Sequence, residues 1–96
     1  MRRTNTEPLK DVIRRFLEIY GGDRKLKEIK LQRSWYKVAG QRIDKHTKFV
    51  NIDKSTFFVK LDSPVLKQEL LMMKSHIIKR LNEEAGETLI DEIVFL

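Results

Sequence analysis

Three cations, Lys30, Arg33 and Lys37, recur at three- and four-residue spacing, and Arg42, Lys45 and Lys48 follow at similar intervals. On a helix the first three share one face. A row of ammonium and guanidinium groups there can neutralise successive phosphates and release their counterions. Further on, Phe58 stands two residues before Lys60 in an alternating stretch, so a ring suited to base stacking and a cation point to the same side of a strand. The chemistry on offer is the binding of a polyanion. Each feature also has a plainer use. A charged helix face is commonly just solvated. A phenylalanine is more often buried, here beneath the helix that carries Trp35. Trp35, on an apolar stripe, reads as a core anchor, and His46 beside Thr47 as a turn-stabilising side chain.

Catalytic chemistry finds no comparable pattern. The two histidines, His46 and His76, lie thirty residues apart, and no HExxH, Cys/His cluster or EF-hand spacing accompanies them. Cysteine is absent, which removes thiolate nucleophiles, zinc ribbons and disulfides and suits a reducing compartment. Four glycines supply neither GxGxxG nor GxxxxGK, so no nucleotide-phosphate cradle is expected. Ser34, Ser55, Ser63 and Ser75 lack a nucleophile-elbow setting. Glu83-Glu84 and Asp91-Glu92 fall where a solvated helix end and a sheet edge are expected. No catalytic residue, metal or cofactor is expected.

The charge distribution favours a polyanionic partner. The chain carries 20 Lys and Arg against 14 Asp and Glu, a net +6. Residues 24–60 hold 11 basic and 3 acidic side chains, whereas residues 61–96 hold 4 basic and 7 acidic. A basic middle therefore precedes an acidic end. At 96 residues there is room for one core, and 41% hydrophobic residues are enough to order it. No apolar run nears the roughly 18 residues that span a bilayer, and no export signal is visible, so a cytoplasmic protein is expected.

The elements that would position these residues follow from periodicity. Residues 1–6 read as a flexible tail, with Thr6 a possible cap. Leu9, Val12, Ile13, Phe16, Ile19 and Tyr20 recur at helical spacing before Gly21-Gly22. A second helix, capped by Asp23, aligns Leu31, Trp35 and Val38 on one side; Leu26 and Ile29 lie off that stripe, a placement that suits contact with helix 1. Gly40 either ends this helix or kinks it into a further turn through Ile43. From Thr47 the period becomes two. If Asp53 and Lys54 form the turn of a hairpin, Val50, Ile52, Phe57, Val59 and Leu61 share one face and Phe49 pairs with Phe58 on the other.

Ser63-Pro64 starts a long helix that runs to about Ala85, with the stripe Leu66, Leu70, Met73, Ile77 and Leu81; Leu71 and Ile78 widen its apolar surface, and Gly86 follows. Residues 89–96 read as a third strand, parallel to the second. The expected fold is one α+β domain of order α-α-β-β-α-β, a three-stranded sheet packed on helices. Its core is drawn from Phe16, Trp35, Val59, Leu61, Leu66, Leu70, Ile77 and Leu81.

The order Trp35-Tyr36-Lys37-Val38-Ala39-Gly40, Ile43, His46-Thr47, Phe57-Phe58-Val59-Lys60-Leu61, Ser63, Glu69-Leu70 and Leu81-Asn82 resembles the DciA family, over residues from about 30 to 96. The resemblance implies a KH-like domain that binds DNA and cooperates with the replicative helicase, DnaB, promoting its loading on single-stranded or forked DNA in bacteria, without an ATPase of its own. Two departures bear on this: no GxxG loop of the kind KH domains use is present, and the chain stops at Leu96 without the longer extension of some relatives, so helicase engagement is expected to be weaker or to use the domain itself. The residues alone leave two other readings open. One is a KH-like RNA-binding module. The other is a protein-interaction domain, with an incidentally basic surface, using Leu71, Ile78 or the sheet edge. Oligomeric state is left open.

Overall fold

A computed structural model describes residues 6–20 and 22–96. The first helix, α1 (Thr6–Tyr20), forms over the periodic stretch. The expected tail lies outside the described residues up to Asn5, and Thr6 is the first residue of α1, so the expectation for its side chain lies outside what is described. α1 lies against α2 (Gly22–Arg33), as the off-stripe Leu26 suggested. Phe16, expected in the core, is instead 58% exposed, with Leu9, Val12, Ile13 and Ile19. The helical period is as expected, but α1 rests on α2, and Leu9, Val12, Ile13, Phe16 and Ile19 stay outside the core.

The second expected helix is broken into three. Ser34 Oγ donates to Lys30 O (3.0 Å), and a hydroxyl that bonds the carbonyl four residues back bends a helix. α3 (Trp35–Ala39) then runs to Gly40 and α4 (Gln41–Asp44) follows. Gly40 ends α3, and a separate turn, α4, follows through Ile43, so each of the two alternatives is met in part. Gly40 has φ 90 and ψ 165, a region open essentially to glycine alone. A Cβ there would meet no atom within 4 Å, so the backbone sets the whole cost of adding one. Gly40→Ala is expected to lose about 1–3 kcal/mol, seen as a lower urea midpoint at unchanged m-value; an unchanged midpoint would refute the assignment.

β1 (Thr47–Asp53) and β2 (Thr56–Leu61) form the antiparallel hairpin, but its register differs from expectation. The turn residues are Lys54 and Ser55, with φ of 50 and 67. Two consecutive left-handed residues twist a two-residue loop to match its strands, although neither is glycine or asparagine. The pairs become Val50↔Val59, Ile52↔Phe57, Asn51↔Phe58 and Phe49↔Lys60. Phe49 and Phe58 are thus diagonal rather than opposite neighbours. The shift preserves parity, so the face assignments survive.

Ser63 caps the next helix, its Oγ accepting from Leu66 N (3.2 Å), with Pro64 at the first position. The long helix is interrupted, giving α5 (Pro64–Leu71) and α6 (Lys74–Ala85). Met72 N and Met73 N donate to Glu69 O and Leu70 O, a tightened turn between residues that all favour helix. Local sequence carries no breaker here, so tertiary packing sets the break: α5 meets the sheet, and α6 meets α2 and α3. Gly86, left-handed at φ 79, ends α6.

β3 (Glu92–Phe95) is shorter than expected and pairs in parallel with β2, giving the order β1-β2-β3. Leu89 and Ile90, expected in the strand, are buried in a loop held by Asn82. Asn82 Oδ1 accepts from Leu89 N (2.9 Å) and Ile90 N (3.0 Å), and its Nδ2 donates to Ile90 O (2.9 Å). The chain order is the α+β order expected, with helices split. Trp35, Val59, Leu61, Leu66, Leu70, Ile77 and Leu81 are all buried, together with Leu31, Phe57, Ile93 and Phe95. These residues pack on one face of the sheet. The other face carries Phe49, Asn51, Asp53, Thr56, Phe58, Lys60, Glu92 and Val94, none of them buried.

Candidate nucleic-acid interface

The open sheet face takes its side chains from strand alternation. Because Phe57 and Val59 turn inward, Phe58 and Lys60 turn outward, and the register sets Phe49 beside Lys60. Phe49 is 51% exposed and Phe58 half-buried. Burial of Phe58 beneath the second helix, the plainer reading, does not occur, because Trp35 packs on the inner face against Phe57, ring centroids 5.5 Å apart. Two rings and an ammonium therefore share a surface suited to stacking and phosphate contact.

Around the end of this sheet the cations differ in their surroundings. A bulge in β1 between Thr47 and Phe49 sets off Lys48. Lys48 Nζ lies 3.4 Å from Asp62 Oδ2, and His46 Nδ1 lies 2.8 Å from Asp62 Oδ1. The His46 hydrogen bond, the largest influence, holds the Asp62 carboxyl below its ordinary value; desolvation opposes it, and the nearby ammonium of Lys48 adds to the lowering. This tie is intact above the ordinary carboxylate range and is lost as pH falls through the lowered value. His46 thus fastens the strand entry, as its place beside Thr47 suggested.

Arg42, on α4, pairs with Glu69 (3.3 Å), and Lys37, on α3, with Glu84 (3.5 Å). The acidic C-terminal third therefore balances three of the expected cations: Lys37, Arg42 and Lys48. Lys30, Arg33, Lys45 and Lys60 are exposed and make no ion pair among the described residues. Lys30 and Arg33 lie on α2, Lys45 after α4 and Lys60 on β2, so the cations fall into a helical group and a sheet-end group. All three acids of the pairs are substantially exposed, where such pairs are weak. Neutralising them in D62N/E69Q/E84Q is expected to tighten single-stranded DNA binding by on the order of 10-fold at low salt and to steepen its salt dependence. Fluorescence anisotropy over a salt series checks this, and unchanged affinity would show that these cations face no nucleic acid.

Two features escaped sequence reasoning. Lys67, one turn into α5, shares a depression with Lys60, Pro64 and Leu96 and extends the cationic rim of the sheet; the Ser63-Pro64 start fixes its position, but helical periodicity alone does not show that this turn lies at the strand end. Arg24 was counted with the basic middle, yet it is tied within the fold. Its Nη2 donates to Leu89 O (2.8 Å) and Ser55 Oγ (2.9 Å), and its Nε to the buried Glu28 (3.2 Å). Among the described residues no group of acidic, histidine or cysteine side chains could hold a metal ion, and no helix is long and apolar enough to cross a membrane.

The chain matches the family model described as Dna[CI] antecedent, DciA, over residues 8–95. No curated protein matches significantly.

Proposed function

Since the chain belongs to the DciA family, which is associated with helicase loading in replication rather than with catalysis, we propose that it is a non-enzymatic, DNA-associated adaptor that helps load or operate the replicative DnaB-type helicase. What supports the DNA half is the open sheet face with Phe49, Phe58 and Lys60, with Lys48 at the β1 bulge, Lys67 beside Lys60 at the sheet end, and Lys45 exposed two residues before β1. Lys30 and Arg33 add a second cationic surface along α2. Phosphates on these cations and bases on the rings would hold a single strand without reading its sequence. That suits a loader, which must act wherever a fork opens. The fold is KH-like in this reading, but nucleic acid meets the sheet and its rim, because the sequence has no GxxG clamp.

The test has two arms: capture of the purified replicative helicase by the immobilised protein, and titration of single-stranded DNA over a salt series. Capture together with a falling log K against log salt supports the proposal; failure of both rejects it. Competition between DNA and RNA strands of equal length separates the RNA-module reading, which predicts RNA preference. The open rings and exposed lysines favour nucleic-acid binding over a purely protein-binding domain. That last reading predicts that K30E/R33E/K37E leaves function intact.

A further inference from the structure

Helix α1 presents an apolar surface that the core does not use. Leu9, Val12, Ile13, Phe16 and Ile19 are between 49% and 72% exposed. At helical spacing they cover about one third of the circumference, a contiguous patch on the order of 500 Å², within the range where a patch on a monomer usually has a function. The principal neighbour of α1 is α2. The radius of gyration, 15.5 Å, exceeds the roughly 12.5 Å of a compact chain of this length, as expected if α1 lies outside the core.

The charges bordering this stripe are of one sign. Helical spacing puts Lys10 on one flank and Arg15 on the other, with Asp11 on the far side. Beside Ile13, a cleft of about 370 Å³ between α1 and α2 is lined by Lys10, Arg14, Leu26 and Lys30. We propose that α1 is a protein-docking surface that takes an acidic amphipathic helix of a partner protein: apolar anchors at three- and four-residue spacing would lie on Leu9, Val12, Phe16 and Ile19, and flanking carboxylates would meet Lys10 and Arg15. A second copy of the chain fits less well. It would set these cations against their own counterparts, and the stripe falls short of the about 800 Å² per partner of a stable dimer. Nucleic acid would leave the apolar stripe uncovered. The partner is a protein met in helicase loading, so its biological assignment rests on the function proposed above, but the recognition chemistry does not.

The probe is a synthetic helix of about five turns, with a leucine stripe flanked by glutamates, compared with the same stripe flanked by lysines. The glutamate form is expected to bind the full chain at least about 10-fold tighter and to shift amide resonances of residues 9–19. L9S/V12S/I19S is expected to weaken that binding at least about 10-fold while leaving the urea midpoint and single-stranded DNA affinity unchanged. K10E/R15E should reverse the preference between the two peptides. Equal binding of both peptides would overturn the proposal. So would a concentration-dependent dimer abolished by the serine variant, or a single-stranded DNA footprint on α1. Helicase capture lost in the serine variant would place the helicase on this surface. Absence of capture by the wild type, with the peptide results as expected, would reject the helicase reading and leave the docking surface standing.

Discussion

The variant K30E/R33E/K45E/K60E is expected to lose single-stranded DNA affinity on the order of 100-fold or more near 0.1 M salt, with the slope of log K against log salt reduced by roughly 0.7 for each phosphate contact removed. These four side chains are exposed and make no ion pair among the described residues, so their reversal removes phosphate contacts without orphaning an internal acid. Stability should change little, since surface substitutions away from special features usually stay within about 0.5 kcal/mol. Reversing Lys37, Arg42 and Lys48 instead should weaken binding less, because Glu84, Glu69 and Asp62 already balance them. Anisotropy titrations of the two variants measure the contrast. Equal losses would mean that the pairs open at no cost, and no loss in either would remove the DNA interface altogether.

Trp35→Ala is expected to destabilise the fold by about 3–5 kcal/mol, a large share of the roughly 5–15 kcal/mol that holds a small domain together. Trp35 is 2% exposed, packs on Phe57, and donates from Nε1 to Thr47 Oγ1 (3.0 Å). Thr47 in turn donates to Ile43 O (2.9 Å), so one indole joins α3, α4 and the start of the sheet. Trp35→Phe keeps most of the volume and loses the hydrogen bond; its smaller cost, about 1–3 kcal/mol with Thr47 partly desolvated, separates packing from polar contribution. Urea unfolding of both variants gives the two numbers. A loss below about 1 kcal/mol for the alanine variant would show that the indole is not the joint described.

Trp35 also belongs to the part of the fold that is legible in the sequence. Its stripe, the hairpin faces and the Ser63-Pro64 start all follow from side-chain period and capping chemistry, which act locally. The misplaced features depend on what lies across from a residue. Phe16 belongs to a sound amphipathic helix, but the pattern of one helix cannot say whether the core or a partner covers it. The hairpin register turned on two left-handed residues, Lys54 and Ser55, whose types do not announce that conformation. The break at Met72 and Met73 has no local signal at all.

The same limit applied to the candidate interface. Phe58 and Lys60 on one strand face were legible from alternation. That Asp62, Glu69 and Glu84 would each meet one of the expected cations was not, because 14 to 47 residues separate the partners. Charge counted along the chain therefore overstated the free positive surface. Arg24 shows the other form of this error: its guanidinium joins the hairpin turn, α2 and the approach to β3, where composition counted only a positive charge.

The most direct test is the amount of purified replicative helicase retained on forked DNA with a single-stranded arm, with and without the protein. A severalfold increase is expected with the wild type and none with K30E/R33E/K45E/K60E. Retention that stays at the level of helicase alone, or that rises equally with the charge-reversed variant, would contradict the proposed function.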